Sequence, residues 1–286
     1  MICAGPSRRP LRPNSLAVLA LLLALAPAAA ADDWVQEMPR GQEVFTPLIA
    51  DPREVQLSAS YYRYHGNNDA DVGLGRSWGL LRWRTGLMSD WLWQLDVEGM
   101  AYSRFQISGG VNKFETVDFF ANLPLEVRKG PLSFKGGLFH ESSHLGDDYI
   151  RDTGDLGYRY SVEGARGLAS MDVNRRLRVY GGASWLIHTV PAPQRWTLQS
   201  GFELTSGDLR LSKRNPTKLF VAEDFQSHEN VQWNPDSNTV AGLRLEFPDT
   251  RRAVRFQLGY FTGHSPYGQF YAQKEHYADI GLAFEL

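Results

Sequence analysis

From about residue 54 to the C-terminus, apolar and polar residues alternate one for one. In WLWQLDVEGMA, Trp93, Leu95, Val97, Gly99 and Ala101 share one face, and Gln94, Asp96, Glu98 and Met100 take the other. VDFFANLPLEVR sets Val117, Phe119, Ala121, Leu123, Leu125 and Val127 against Asp118, Asn122, Glu126 and Arg128. The same rhythm aligns Leu177, Val179, Ala183, Trp185 and Ile187, then Trp196, Leu198, Phe202 and Leu204, then Val254, Phe256, Leu258 and Tyr260. A period of two marks strands. It predicts twelve, beginning near Val55, Ser77, Trp91, Thr116, Leu132, Tyr158, Leu177, Trp196, Lys218, Asn238, Ala253 and His276. Residues 205–216 are ambiguous, so ten or fourteen strands stay open.

Three features favour a membrane barrel over a soluble sandwich. The segments run to about ten residues, the length a strand needs to cross a bilayer. Trp and Tyr gather at segment ends, as interfacial girdles require. Short connections at residues 88–90, 129–130, 172–176 and 248–252 alternate with longer ones near 65–71, 104–115, 143–157 and 263–275. Barrels have short periplasmic turns and longer external loops. Hydrocarbon offers no hydrogen bonds, so such a sheet must close on itself. An even count returns both termini to the periplasm.

The N-terminus changes the picture further. Arg8, Arg9 and Arg12 precede the apolar run LAVLALLLALAP, and Ala28 to Ala31 supply small residues for cleavage. This pattern is that of a secretory signal peptide. The expected division is a signal peptide over residues 1–31, an irregular periplasmic lead-in over 32–53 and a barrel over 54–286. Cys3 lies in the signal, so the mature chain is expected to have no disulfide or cysteine metal site. A net charge of −2 without basic runs argues against nucleic acid as a partner. Mean hydropathy is −0.35 although 43% of residues are hydrophobic, as expected of two-faced strands.

The last residues, DIGLAFEL, resemble the C-terminal recognition segment of outer-membrane barrels through Asp279, Gly281, Phe284 and Leu286. That resemblance implies a Gram-negative-type outer membrane and the barrel assembly machinery as a partner. The fold class is therefore all-β, a transmembrane antiparallel β-barrel.

One stretch carries candidate chemistry. With the N-terminus periplasmic, the fifth strand runs outward. Parity then puts His140 and Ser142 with Leu132, Phe134 and Leu138, on the lipid face near the outer surface. Polar residues facing lipid are costly unless they lie at the interface or have partners. An imidazole can take the proton of a serine hydroxyl. Residues two apart on a strand project to one side, roughly 7 Å apart along the chain. A third group, acid or amide, would orient the imidazole.

His-x-Ser on the outward face of a barrel strand resembles outer-membrane phospholipase A and the outer-membrane lipid A deacylase. That resemblance implies a third residue from the next strand. At the families' usual spacing it would fall near Gly154, which cannot serve, and Ser143 stands where those families favour Asn. The nearest substitute is Glu163. Pairing the two strands about a loop centred between Arg151 and Asp152 sets Glu163 opposite His140. Glu163 faces lipid only if Arg166 faces inward. The resemblance implies hydrolysis of a lipid acyl ester, with Ser142 as nucleophile, His140 as base and Glu163 as orienting acid. Backbone amides near Ser142 would then stabilise the oxyanion.

HESSHLGDDY and GHSPYGQFY, with FTPLIADPRE and GLAFEL, resemble a bacterial family of predicted outer-membrane proteins known only as a domain of unknown function. It implies the barrel and leaves the chemistry open. Asp147, Asp148 and Asp152, beside His144 and Asp155, are candidate calcium ligands, because calcium takes carboxylate oxygens. The competing readings of that loop are a simply solvated one, or one that bridges lipopolysaccharide through divalent cations. The rival to catalysis is a non-catalytic barrel, either a small pore or a structural or ligand-binding protein. A soluble lipocalin-like binder is a further alternative. The inward charges, of both signs, are expected to form a polar plug. Outer-membrane lipids or lipopolysaccharide are the expected partners, and the oligomeric state stays open.

Overall fold

The computed structural model describes residues 34–39, 44–84, 90–108, 110–191, 195–212, 214–250 and 252–285. The expected signal peptide, residues 1–31, and Leu286 lie outside the described residues.

The described strands are β1 (Trp34–Glu37), β2 (Leu57–Tyr64), β3 (Asn67–Arg84), β4 (Leu92–Ser108), β5 (Val111–Lys129), β6 (Leu132–Leu145), β7 (Tyr160–Asp172), β8 (Leu177–Val190), β9 (Trp196–Thr205), β10 (Thr217–His228), β11 (Pro235–Phe247), β12 (Arg252–His264) and β13 (Lys274–Glu285). Each strand from β2 to β13 pairs antiparallel with its sequence neighbours. Strand β13 then pairs with β2, from Asp279 opposite Tyr62 to Phe284 opposite Leu57, and closes a twelve-stranded barrel. Closure removes the sheet edges that lipid cannot satisfy. The short β1 adds to the inner end of β3, with Trp34 opposite Arg84.

The pleat sorts the side chains. Leu74, Leu258 and Ile280 on the outside are each more than 60% exposed. Asp96, Asp118 and Glu126 on the inside are fully buried. This is the outer-membrane arrangement, with hydrocarbon as the solvent of the apolar face.

Two expected loops are strand instead. Strand β3 begins at Asn67, ten residues before Ser77. Tyr64 pairs with Asn67 across a two-residue turn, His65 at φ 48° and Gly66 at φ 85°. Positive φ at both positions is the tight hairpin turn whose twist matches the strands. Residues 104–115 likewise continue β4 and β5, with Ser108 opposite Val111. Beyond the hydrocarbon both faces of a strand meet polar surroundings, so the alternation fades although the pairing continues. The loops at residues 146–159 and 265–273 are present. The first holds the short helix α1 (Asp147–Thr153).

Much of the lumen is occupied. Residues 44–56, which take in the last ten residues of the segment expected as a periplasmic lead-in, run inside the wall. Phe45 N–H donates to Glu126 on β5 at 2.8 Å, and Ile49 N–H to Glu203 on β9 at 2.8 Å. Asn238 on β11 donates to the Ala50 carbonyl at 2.8 Å, and Arg255 on β12 to that of Ile49 at 3.1 Å. These four backbone groups taken from water thus have inward-facing partners on the wall, as burial requires. From the loop end, Tyr267 and Phe270 pack against Met100 and Tyr102.

Candidate active site on the lipid-facing wall

Strands β6, β7 and β8 set the candidate residues side by side. On β6, Ser133 and Ser143 are buried inside, and Leu132, Phe134 and Leu138 are exposed outside. His140 and Ser142 share the outer parity. On β7, Arg166 points inward and bonds Asp51 of the lead-in at 2.6 Å. Glu163, three residues away, therefore lies on the outer face. The register places Glu163 opposite His140.

The side chains meet. His140 Nδ1 lies 3.3 Å from Glu163 Oε1, and each group is about half exposed. Engaging Nδ1 fixes the ring orientation and leaves Nε2 as the nitrogen for a hydroxyl proton, the arrangement a serine base needs. Ser142 is partly buried, opposite Phe119 on β5 and Ser161 on β7. Its hydroxyl has no hydrogen-bond partner among the described residues. The β6–β7 ladder ends one residue later, at Ser143 and Tyr160.

A fourth residue joins that strand spacing did not reveal. His188 Nδ1 lies 3.0 Å from Glu163 Oε2, so the carboxylate bridges two imidazoles. Plain alternation in β8 points Ile187 outward and His188 inward. The register, however, shifts between Glu163 and Gly164, which pair with His188 and Leu186, leaving Ile187 as the extra residue of a bulge. A bulge re-aims the side chains around it. Ile187 and His188 are both exposed on the outer wall. The available sequence signal was a histidine ending a strand beside the candidate pair.

Two of the three candidate calcium acids are engaged with separate partners. Asp148 accepts the Phe114 N–H at 2.8 Å and pairs with Arg151. The backbone bond and then the arginine hold its carboxyl below the ordinary carboxylate value. Asp152 pairs with Lys113, and Asp147 is exposed. Calcium needs six or more converging oxygens. Among the described residues no group of three or more such side chains is placed to hold a metal ion. Two of these three carboxylates instead anchor α1 to the outer end of β5.

Solved structures share the fold. Outer membrane phospholipase A from Escherichia coli matches with a TM-score of 0.54 and 14% identity, covering 82% of this chain and 93% of that one. The Salmonella typhi outer membrane phospholipase dimer with bound calcium gives 0.53 and 13%, with 82% and 93% covered. LpxR from Salmonella typhimurium gives 0.40 and 13%, with 81% and 100% covered. At such identities the likeness is one of fold. No match is found among curated protein sequences. The model of the family described as a protein of unknown function, DUF1207, matches residues 6–286, and the chain belongs to that family.

Proposed function

We propose that this outer-membrane barrel hydrolyses an acyl ester of a lipid in the outer leaflet. Ser142 is the nucleophile, His140 the general base, and Glu163 the acid that holds His140 in place. The observation that carries the reading is the His140–Glu163 contact of 3.3 Å on the lipid-facing wall, two residues from Ser142. Ser142 Oγ attacks the ester carbonyl as its proton passes to His140 Nε2. The proton then goes to the departing alcohol, leaving an acyl-serine that water cleaves by the same base. His188 shares Glu163 and helps to fix its carboxylate. The similar fold of a protein named a phospholipase agrees with this chemistry without carrying it.

A lumen crossed by the lead-in and entered by the last outer loop favours this reading over a pore. The test is fatty-acid release by the refolded protein in detergent, from mixed phospholipids and from lipopolysaccharide, beside Ser142→Ala. Release by the wild type alone is expected. No release from either protein, both folded as heat-modifiable barrels, would end the proposal.

A further inference from the structure

The wall site leaves unused a cavity of about 240 Å³ inside the barrel. Its floor is the Asp51–Arg166 pair, and its rim includes His228, Asp236 and His264 at the strand ends near the outer loops. One water needs roughly 10–15 Å³ by this measure, so the space holds more than about a dozen water-sized atoms.

The lining is built rather than accidental. His264 donates its backbone N–H to Asp236 Oδ1 at 2.7 Å and sets its ring Nδ1 2.9 Å from the same oxygen. On the other side, His228 Nε2 lies 3.6 Å from Asp236 Oδ2. Gly263 makes the approach possible. Its φ is +153°, and a Cβ there would lie 2.4 Å from Asp236 Oδ1 and 2.7 Å from its Cα.

The chemistry of the lining narrows the occupant. Asp51 pairs with Arg166 at 2.6 Å and Lys135 with Glu98 at 2.6 Å, while Glu54 accepts the Leu48 N–H and Asp224 accepts from Tyr180, Gln199 and Gln226. Little charge remains for an ionic ligand. What remains are directional groups, two amide oxygens and the unbonded side of a guanidinium already neutralised by Asp118. The buried Asn122 Oδ1 and Asn230 Oδ1 accept no hydrogen bond among the described residues, and Arg53 Nε and Nη1 donate none. All three side chains line the cavity. A buried polar atom left unpaired is costly, so each calls for a partner. A hydroxyl donates to the amide oxygens and accepts from the guanidinium. Tyr160 and Tyr271, with ring centroids 6.4 Å apart, add apolar faces. Apolar walls with a few placed polar groups are the usual form of a small-molecule site.

We propose that this cavity binds a neutral, hydroxyl-rich ligand of monosaccharide size, with Asn122, Asn230 and His264 as its polar contacts. The site is separate from the lipid-facing wall and does not depend on the hydrolase reading.

The test uses the full mature chain in a phosphocholine detergent, which carries no sugar. Saturation-transfer NMR is run with glucose, galactose and mannose, with glucuronate and glucosamine as charged counterparts. Delipidated lipopolysaccharide core is added as a competitor, to separate a free sugar from the sugar end of a surface glycan. Saturation of at least one neutral hexose is expected, with binding about tenfold weaker in Asn230→Ala and in Asn122→Leu, the loss of one good hydrogen bond. Binding should survive Ser142→Ala. Should Asn122→Leu fail to fold, Asn230→Ala, at a turn, decides alone. No saturation of any hexose and no binding of the core overturns the proposal. So does preference for a charged analogue, or binding unchanged in the folded variants.

Discussion

Asp118 pairs with Arg53, and the carboxylate oxygen that takes the guanidinium also accepts the Gly268 N–H at 3.0 Å. One buried group on β5 thereby holds the lead-in, which fills the lumen from one end, and the last outer loop, which fills it from the other. The Arg53 guanidinium also lies over the rings of Tyr102, Phe120 and Tyr267, at 4.8, 4.7 and 5.0 Å. Wall, lead-in and loop are one packed unit at this point.

Asp118→Ala strands a buried arginine. Removing one partner of such a pair costs about 3–5 kcal/mol. Glu141, 3.7 Å from Arg53, remains as a second acid, so a loss of about 3 kcal/mol is expected. Urea unfolding of the refolded barrel measures it. A change below about 1 kcal/mol would show that the pair does not lock the lumen.

Gly268→Ala should lift the outer loop. A Cβ there would lie 2.6 Å from Tyr160 Cε1 and 2.8 Å from Ser143 Cβ. The Gln269 N–H bond to Ser143 Oγ, 2.9 Å, would be lost with the displacement. Overpacking of this kind costs about 1–3 kcal/mol. Limited proteolysis should cut residues 265–273 in the variant and spare them in the wild type.

If the wall site acts as proposed, its residues rank by role. Ser142→Ala abolishes turnover. Glu163→Gln keeps the shape but not the charge and lowers kcat by about a hundredfold or more, with KM little changed. His188→Ala, one step further from the serine, costs less, about tenfold. Initial rates of fatty-acid release give the order, and a larger loss in His188→Ala than in Glu163→Gln would reverse the assignment.

Acid should release α1 before the barrel wall opens. The Asp148 carboxyl is held below its ordinary value of 3.8 by the Phe114 amide and Arg151. A depressed folded value means that the contribution is fully present above the unfolded value and lost as pH falls through the folded one. Protection of the Phe114 amide in hydrogen exchange should therefore fall on acidification in this range. Asp148→Asn should lose the pH dependence and show weaker protection throughout.

The wall was legible because lipid enforces strict alternation on one face of every crossing strand. Glu163 opposite His140 was also legible, because antiparallel pairing about a loop centre is arithmetic. His188 was not, since the bulge at Ile187 breaks the parity on which that arithmetic depends. The start of β3 was missed where the strand leaves hydrocarbon and both faces turn polar. The lead-in carries no period at all. Its position follows from contacts such as Ile49 with Glu203, 154 residues apart, and no local pattern encodes those.

The segment that fills the lumen continues without a break into the wall, from Gln56 to Leu57, the first residue of β2. It is an intramolecular stopper on a covalent leash, and its local concentration is set by chain length alone. Dilution into the surrounding medium cannot empty this barrel. A competitor for the space must displace a tethered segment, and that requirement holds at any abundance of the protein.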